Sequence, residues 1–147
     1  MQTQQPAAAT PTPTPLTTLA VPRIGVFWPE QGGEFLGIVA GAECQPDYQL
    51  IGGSVAPKAM NHADAIAWAQ GMQLNGFNDW DIPNRRDGSV AFANNGGKIP
   101  PDWYWLKDQY AHDAAYAWAQ LFGYGGQGTS HKSTELEVVL VRRLPIQ

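Results

Sequence analysis

The side chains that could bind metal or act as nucleophiles are few: His62, His112, His131 and a single cysteine, Cys44. The histidines are separated by fifty and nineteen positions. Zinc sites draw paired ligands from within a few residues of each other, so this set lacks the spacing, and each histidine reads as a cap or surface residue. A calcium site needs several converging carboxylate and amide oxygens, and the nearest approach is the pair Asn78-Asp79. No Gly-x-Ser-x-Gly elbow occurs, and the carboxylates show no motif-level pairing. Asp102 and Asp108 are the two acids that a glycosidase reading would have to enlist across one sugar. The sequence reads as non-enzymatic, without metal or cofactor.

The aromatic residues carry a stronger signal. Trp103, Tyr104, Trp105, Tyr110, Tyr116, Trp118 and Tyr124 crowd together, interleaved with Lys107, Asp108 and Gln109. Alternate residues of a strand face opposite sides, so Trp103 and Trp105 are expected in the core and Tyr104 outside it. Trp80, Trp105 and Trp118 read as core residues. Tyr104, Tyr110 and Tyr124 lie beside polar loop residues, where aromatic faces stack on sugars or anchor protein interfaces. With Lys107, Gln109, Gln127 and Lys132 as hydrogen-bonding partners, they make up the expected ligand-binding surface, on loops around 107–112 and 124–132.

The elements that must position these residues follow from patterning. With 147 residues, 44% apolar and only 15% charged, the chain suits one domain with a real core. A net charge of −4 argues against nucleic acid, whose phosphates demand a basic surface. No run approaches the length of a membrane span. The N-terminus does not read as a secretory signal.

Residues 1–22, "MQTQQPAAATPTPTPLTTLAVP", contain no charged side chain. Their alternating Pro favours extended backbone near polyproline II. The segment reads either as a disordered leader or as an arm lying along a neighbouring subunit, with Leu16, Leu19 and Val21 as docking anchors. From Arg23 onward, "RIGVFWPE" and "EFLGIVAG" flank Gln31-Gly32-Gly33, a hairpin signal, and "YQLIGGS" offers a third strand. Asn61 is a good N-cap, and Ala65, Trp68, Ala69 and Met72 form one helical stripe. The spacing predicts a helix over 61–75, stopped by Gly76.

"HADAIAWAQ" at 62–70 has a near twin, "HDAAYAWAQ" at 112–120. Its own periodicity allows a second helix. The following "FGYGGQG" suits a strand entering a tight turn instead. The flanks of the two motifs do not match, so no repeat unit exists. Val138 to Val141 is an aliphatic run that suits a strand buried on both faces.

From Gly76 to Pro145, "GFNDWDIPNRRD", "WYW", "AWAQLFGYGGQ" and "VRRLP" occur in the order seen in Lcl C-terminal-like domains. The chain resembles this family of small bacterial and bacteriophage domains related to the formylglycine-generating branch of the C-type lectin fold. The resemblance implies an α+β, C-type-lectin-like domain over residues 23–147, with twisted antiparallel strands, one main helix and long loops. It makes the second Ala-Trp motif a strand, 116–122, and Asp79 a structural acid bonded to backbone or Arg85. Asp87-Gly88 stands where the family has a glutamate, which weakens the expected helix cap. Trp105-Leu106-Lys107-Asp108 replaces the family's Trp-Ser-Ser-Thr. The catalytic branch binds copper through paired cysteines, which Cys44 alone cannot supply.

Such domains act mainly in adhesion and recognition, and compact members with a short arm look like phage structural proteins. The resemblance therefore implies a virion component, a homo-oligomer attached to other virion proteins through its arm. Such a component would decorate the particle or read host glycans or another surface receptor. A bacterial adhesin-type glycan-binding domain is the alternative.

Overall fold

A computed structural model describes residues 20–147. Leu16 and Leu19 lie outside the described residues, and Val21 is largely exposed. The fold is α+β. In chain order it comprises β1 (Phe27–Trp28), β2 (Gly33–Val39), β3 (Tyr48–Val55), α1 (His62–Gln70), α2 (Arg85–Asn94), β4 (Trp103–Gln109), β5 (Tyr116–Leu121), β6 (Gln127–His131) and β7 (Val139–Pro145). One antiparallel sheet has the order β1-β2-β3-β7 and the other β4-β5-β6.

The expected hairpin forms, but β1 spans only two residues. Pro29 opens a 3-10 turn over Pro29–Gln31, which ends on left-handed Gly32. In α1 the Asn61 side chain accepts from the Asp64 N–H at 2.9 Å, and Ala65 and Ala69 are fully buried. The helix is shorter than its periodicity predicts. It stops at Gln70, and Leu74 bridges to Phe77 across Asn75 and Gly76, both at positive φ. Asn-Gly is a strong tight-turn pair, and it outweighs the remaining stripe. The second Ala-Trp motif is β5, so one pattern serves a helix and a strand.

The resemblance implies a short helix opening at Arg85, and a helix does start there; at ten residues against nine for α1, it corrects only the expectation of one main helix. Asp87 completes a capping box rather than weakening it. The Asn84 side chain accepts from the Asp87 N–H at 2.8 Å, and the Asp87 carboxylate accepts from the Asn84 N–H at 2.9 Å. The Asn84 side chain and the short acid at N3 thus satisfy one orphan donor each.

Two apolar clusters fill opposite faces of the first sheet. One joins Phe35, Ile51, Trp80, Trp105 and Leu140 with α1; the other joins Leu36, Leu50, Tyr104, Phe122 and Val141 with α2. β4 runs between them. Its alternation therefore chooses between two cores rather than between core and solvent. For this reason Tyr104 is buried, contrary to expectation, with its ring edge-on to Phe122 and its hydroxyl donating to the Pro100 carbonyl at 2.9 Å. Burial, helped by the charges of Glu137 and Asp102, pushes its phenol up to about 12. Trp103, expected inside, is 37% exposed at the end of the strand. Trp118 is only half-buried, because β5 buries Ala117, Ala119 and Gln120 instead.

Trp80 is buried as expected. It packs so tightly on β3 that a Cβ at Gly53 would stand 2.6 Å from its ring. Asp79 bonds neither local backbone nor Arg85. It pairs with Arg142 of β7, whose guanidinium also covers the Phe77 ring at 3.6 Å.

Residues 138–141 are fully buried. Their approach ties the two sheets together. Leu136 bridges Met60, Glu137 exchanges backbone hydrogen bonds with Trp103 and Trp105 at 3.0 Å, and Val141 bridges Asp81.

Candidate functional site

The first turn of α2 is held from below by a buried polar network. Asp87 has no exposed surface, yet it accepts from Arg143 Nη2 at 2.7 Å, from Arg143 Nε at 2.9 Å and from the Tyr48 hydroxyl. Arg143 also reaches Asp81 at 3.0 Å, and Lys107 reaches the same Asp81 oxygen at 2.7 Å. Burial opposes charge on Asp81, but Lys107 and Arg143 outweigh it and hold its carboxyl below the usual range. Burial, followed by the bond to Asp87, pushes the Tyr48 phenol up to about 12. A buried charge persists only when paired and hydrogen-bonded in this way. The network fixes where the helix begins.

Above it, the cap Asn84 and Arg85, Arg86 and Ser89 of α2 face an open groove of about 860 Å³. Asp108 of β4 and Gln127 of β6 form its far wall, and Val39, Ala40 and Val90 supply apolar surface. The polar walls are locked. The Arg85 N–H donates to Asp108 Oδ1 at 2.9 Å, and Arg85 Nε donates to Gln127 Oε1 at 2.9 Å. The Arg85 guanidinium sits over the Trp118 ring, 3.5 Å from its centroid, a stacked cation–π contact. Gln127 Nε2 donates to the Arg85 carbonyl at 2.7 Å and to buried Gln120 Oε1 at 2.8 Å. Gly88 gives Gln120 its room: a Cβ there would come within 2.8 Å of Oε1. Arg86 Nη1 donates to the Ala40 carbonyl at 2.9 Å. A second cavity of about 310 Å³, lined by Tyr48, Arg143 and Pro145, shares Asn84 and Arg86 with the groove and extends it.

The structure brings some of the sequence-predicted residues to this region and removes others. Gln127 lines the groove; Tyr110 is not among its lining residues and instead stands edge-on to Trp118, with ring centroids 5.8 Å apart. Tyr104 is excluded by burial. Lys107 is tied to Asp81. Gln109 is occupied as a loop organiser: its Nε2 lies within 3.0 Å of the carbonyls of Tyr110, Asp113 and Tyr116, and its Oε1 accepts from Lys132. Tyr124 stands apart at the tip of the β5–β6 turn, 89% exposed.

His62 is neither a cap nor a surface residue. It is buried, its Nε2 bonds the Leu106 carbonyl at 2.9 Å, and its ring meets Trp105 edge-on. Burial, with the nearby Lys132 charge, pushes its imidazole below the ordinary value despite the Leu106 carbonyl. Among the described residues no group of three or more His, Cys, Asp or Glu side chains is placed to hold a metal ion. No helix among them is long and apolar enough to cross a membrane.

Sequence reasoning missed Arg86, Ser89 and the groove-side role of Asp108. The usable signal was Asn84-x-x-Asp87, a capping-box offset that places Arg85 and Arg86 in a first helical turn.

No protein-family model matches the chain, and no curated protein is significantly similar to it. Over the described residues, fold and site define an α+β domain of two helices and two antiparallel sheets, with a hydrogen-bonded polar groove at the start of its second helix.

Proposed function

We propose that this chain is a non-enzymatic recognition module of a bacteriophage particle, with a C-type-lectin-like fold, that binds saccharides of the host surface. The observation that carries the recognition reading is the Arg85–Trp118–Gln127 arrangement. Planar polar groups are fixed by internal hydrogen bonds before any ligand arrives, beside an open groove with apolar patches. Preorganised donors and acceptors set against apolar surface suit sugars, which present hydroxyl edges and C–H faces. The motif resemblance to Lcl C-terminal-like domains supports the same reading. The virion setting is supported by the resemblance to compact phage members and by the uncharged Pro/Thr-rich segment 1–22, which would attach the domain to neighbouring subunits through Leu16, Leu19 and Val21.

A glycan array probed with multivalent full-length protein tests the recognition role, because avidity reveals weak single-site binding. Specific binding that disappears in the Gln127→Ala variant is expected, and no binding to any saccharide overturns it. Mass-spectrometric inventory of purified particles tests the virion role, which fails if the chain is missing from them.

A further inference from the structure

We infer that the groove over the first turn of α2 selects saccharides bearing a single carboxylate, such as a terminal uronate or sialate. This rests on the recognition reading above and names its ligand class. The charged side chains lining the groove are Arg85, Arg86 and Asp108. Arg85 is held on one side by Trp118 and through Nε by Gln127, while Nη1 and Nη2 have no partner among the described residues. A guanidinium immobilised with its outer fork unused is set to take both oxygens of one carboxylate at little further cost in side-chain freedom. Arg86 spends Nη1 on the Ala40 carbonyl and keeps Nε and Nη2 without a partner among the described residues.

Asp108 decides between kinds of anion. Its Oδ1 is taken by the Arg85 N–H, and its Oδ2 has no partner among the described residues, which leaves an acceptor for a sugar hydroxyl. Two guanidinium groups and one carboxylate give the groove a single net positive charge. One ligand carboxylate neutralises it. A polyanion, whether nucleic acid or a densely sulfated chain, would meet Asp108 and the overall charge of −4. Val39, Ala40 and Val90 offer apolar surface to a pyranose C–H face, and the adjoining cavity past Arg86 has room for a neighbouring ring.

The test titrates full-length protein with methyl glucuronide and with N-acetylneuraminate, each beside its uncharged methyl ester, by calorimetry and tryptophan fluorescence. Each acid is expected to bind about tenfold more tightly than its ester, and Arg85→Gln and Arg86→Gln are each expected to weaken the acid about tenfold. Thermal melting of both variants checks that the fold is intact. Equal binding of acid and ester overturns the inference, as do folded variants with unchanged affinity, or tighter binding of heparin titrated in parallel. Neutral saccharides bound in the absence of any acid preference would sink the carboxylate assignment while leaving saccharide recognition standing. No saccharide binding at all would sink both.

Discussion

Arg143 of β7 and Asp87 of α2 form an ion pair across the core, Nη2 to Oδ2 at 2.7 Å, with the carboxylate fully out of solvent. The same Asp87 caps the helix that carries the groove. Asp87→Ala therefore removes a cap and the buried acceptor of Arg143 and Tyr48, while Arg143 keeps Asp81 at 3.0 Å. A loss of about 2–4 kcal/mol is expected, about 1 for the cap and the rest for the lost charge-assisted hydrogen bonds. Urea denaturation measures it, and a loss below about 1 kcal/mol would mean that the pair behaves as a surface contact.

Trp80 fills the space that Gly53 leaves open on β3. Trp80→Ala should cost about 3–5 kcal/mol, as for other large-to-small core changes. Gly53→Ala should also destabilise, since its Cβ would press into the indole. Unaltered melting of a soluble Trp80→Ala protein would contradict this packing.

Stability should fall as pH drops below about 6.5, the ordinary histidine value. His62 has a depressed value when folded, so the unfolded chain takes up the proton first and unfolding gains from acid. Asp81 acts in a separate, lower window. Its folded value is also depressed, so its contribution is lost only below about 3.9. His62→Gln should flatten the upper part of the stability–pH curve and leave the lower part intact. A variant with an unchanged upper slope would assign that slope elsewhere.

Tyr104 should behave as a packing residue. Tyr104→Phe removes the bond to the Pro100 carbonyl and should cost about 1 kcal/mol, with no change in saccharide affinity. Weakened binding in a stable Tyr104→Phe protein would return this residue to the ligand surface.

The twin Ala-Trp motifs give the clearest measure of what the sequence made legible. Amide exchange and backbone chemical shifts should show helix over 62–70 and strand over 116–121, and helical shifts across Tyr116 to Leu121 would contradict the fold. Local rules found the cap at Asn61, the hairpin around Gly32 and the buried run at 138–141, because each depends on neighbours in the chain. Trp103 and Tyr104 were misplaced because alternation says which residues share a face, not what covers it. The groove depends on distant partners. Arg85 meets Asp108, Trp118 and Gln127, and no spacing rule predicts which of several polar side chains will converge.

The segment 136–141 touches Met60, Asp81, β3 and β4, which ties nearly every layer to residues that follow the other elements in the chain. On the ribosome, both apolar clusters would stay open until this stretch clears the exit, because Val138 and Leu140 complete one and Val139 and Val141 the other. The two clusters should therefore close together once this stretch is available, rather than one after the other. Nascent chains arrested with residue 135 at the exit should be cleaved readily by protease, and those extended past Pro145 should resist it. Resistance in the shorter chains would mean that the first sheet and α1 form without their final strand.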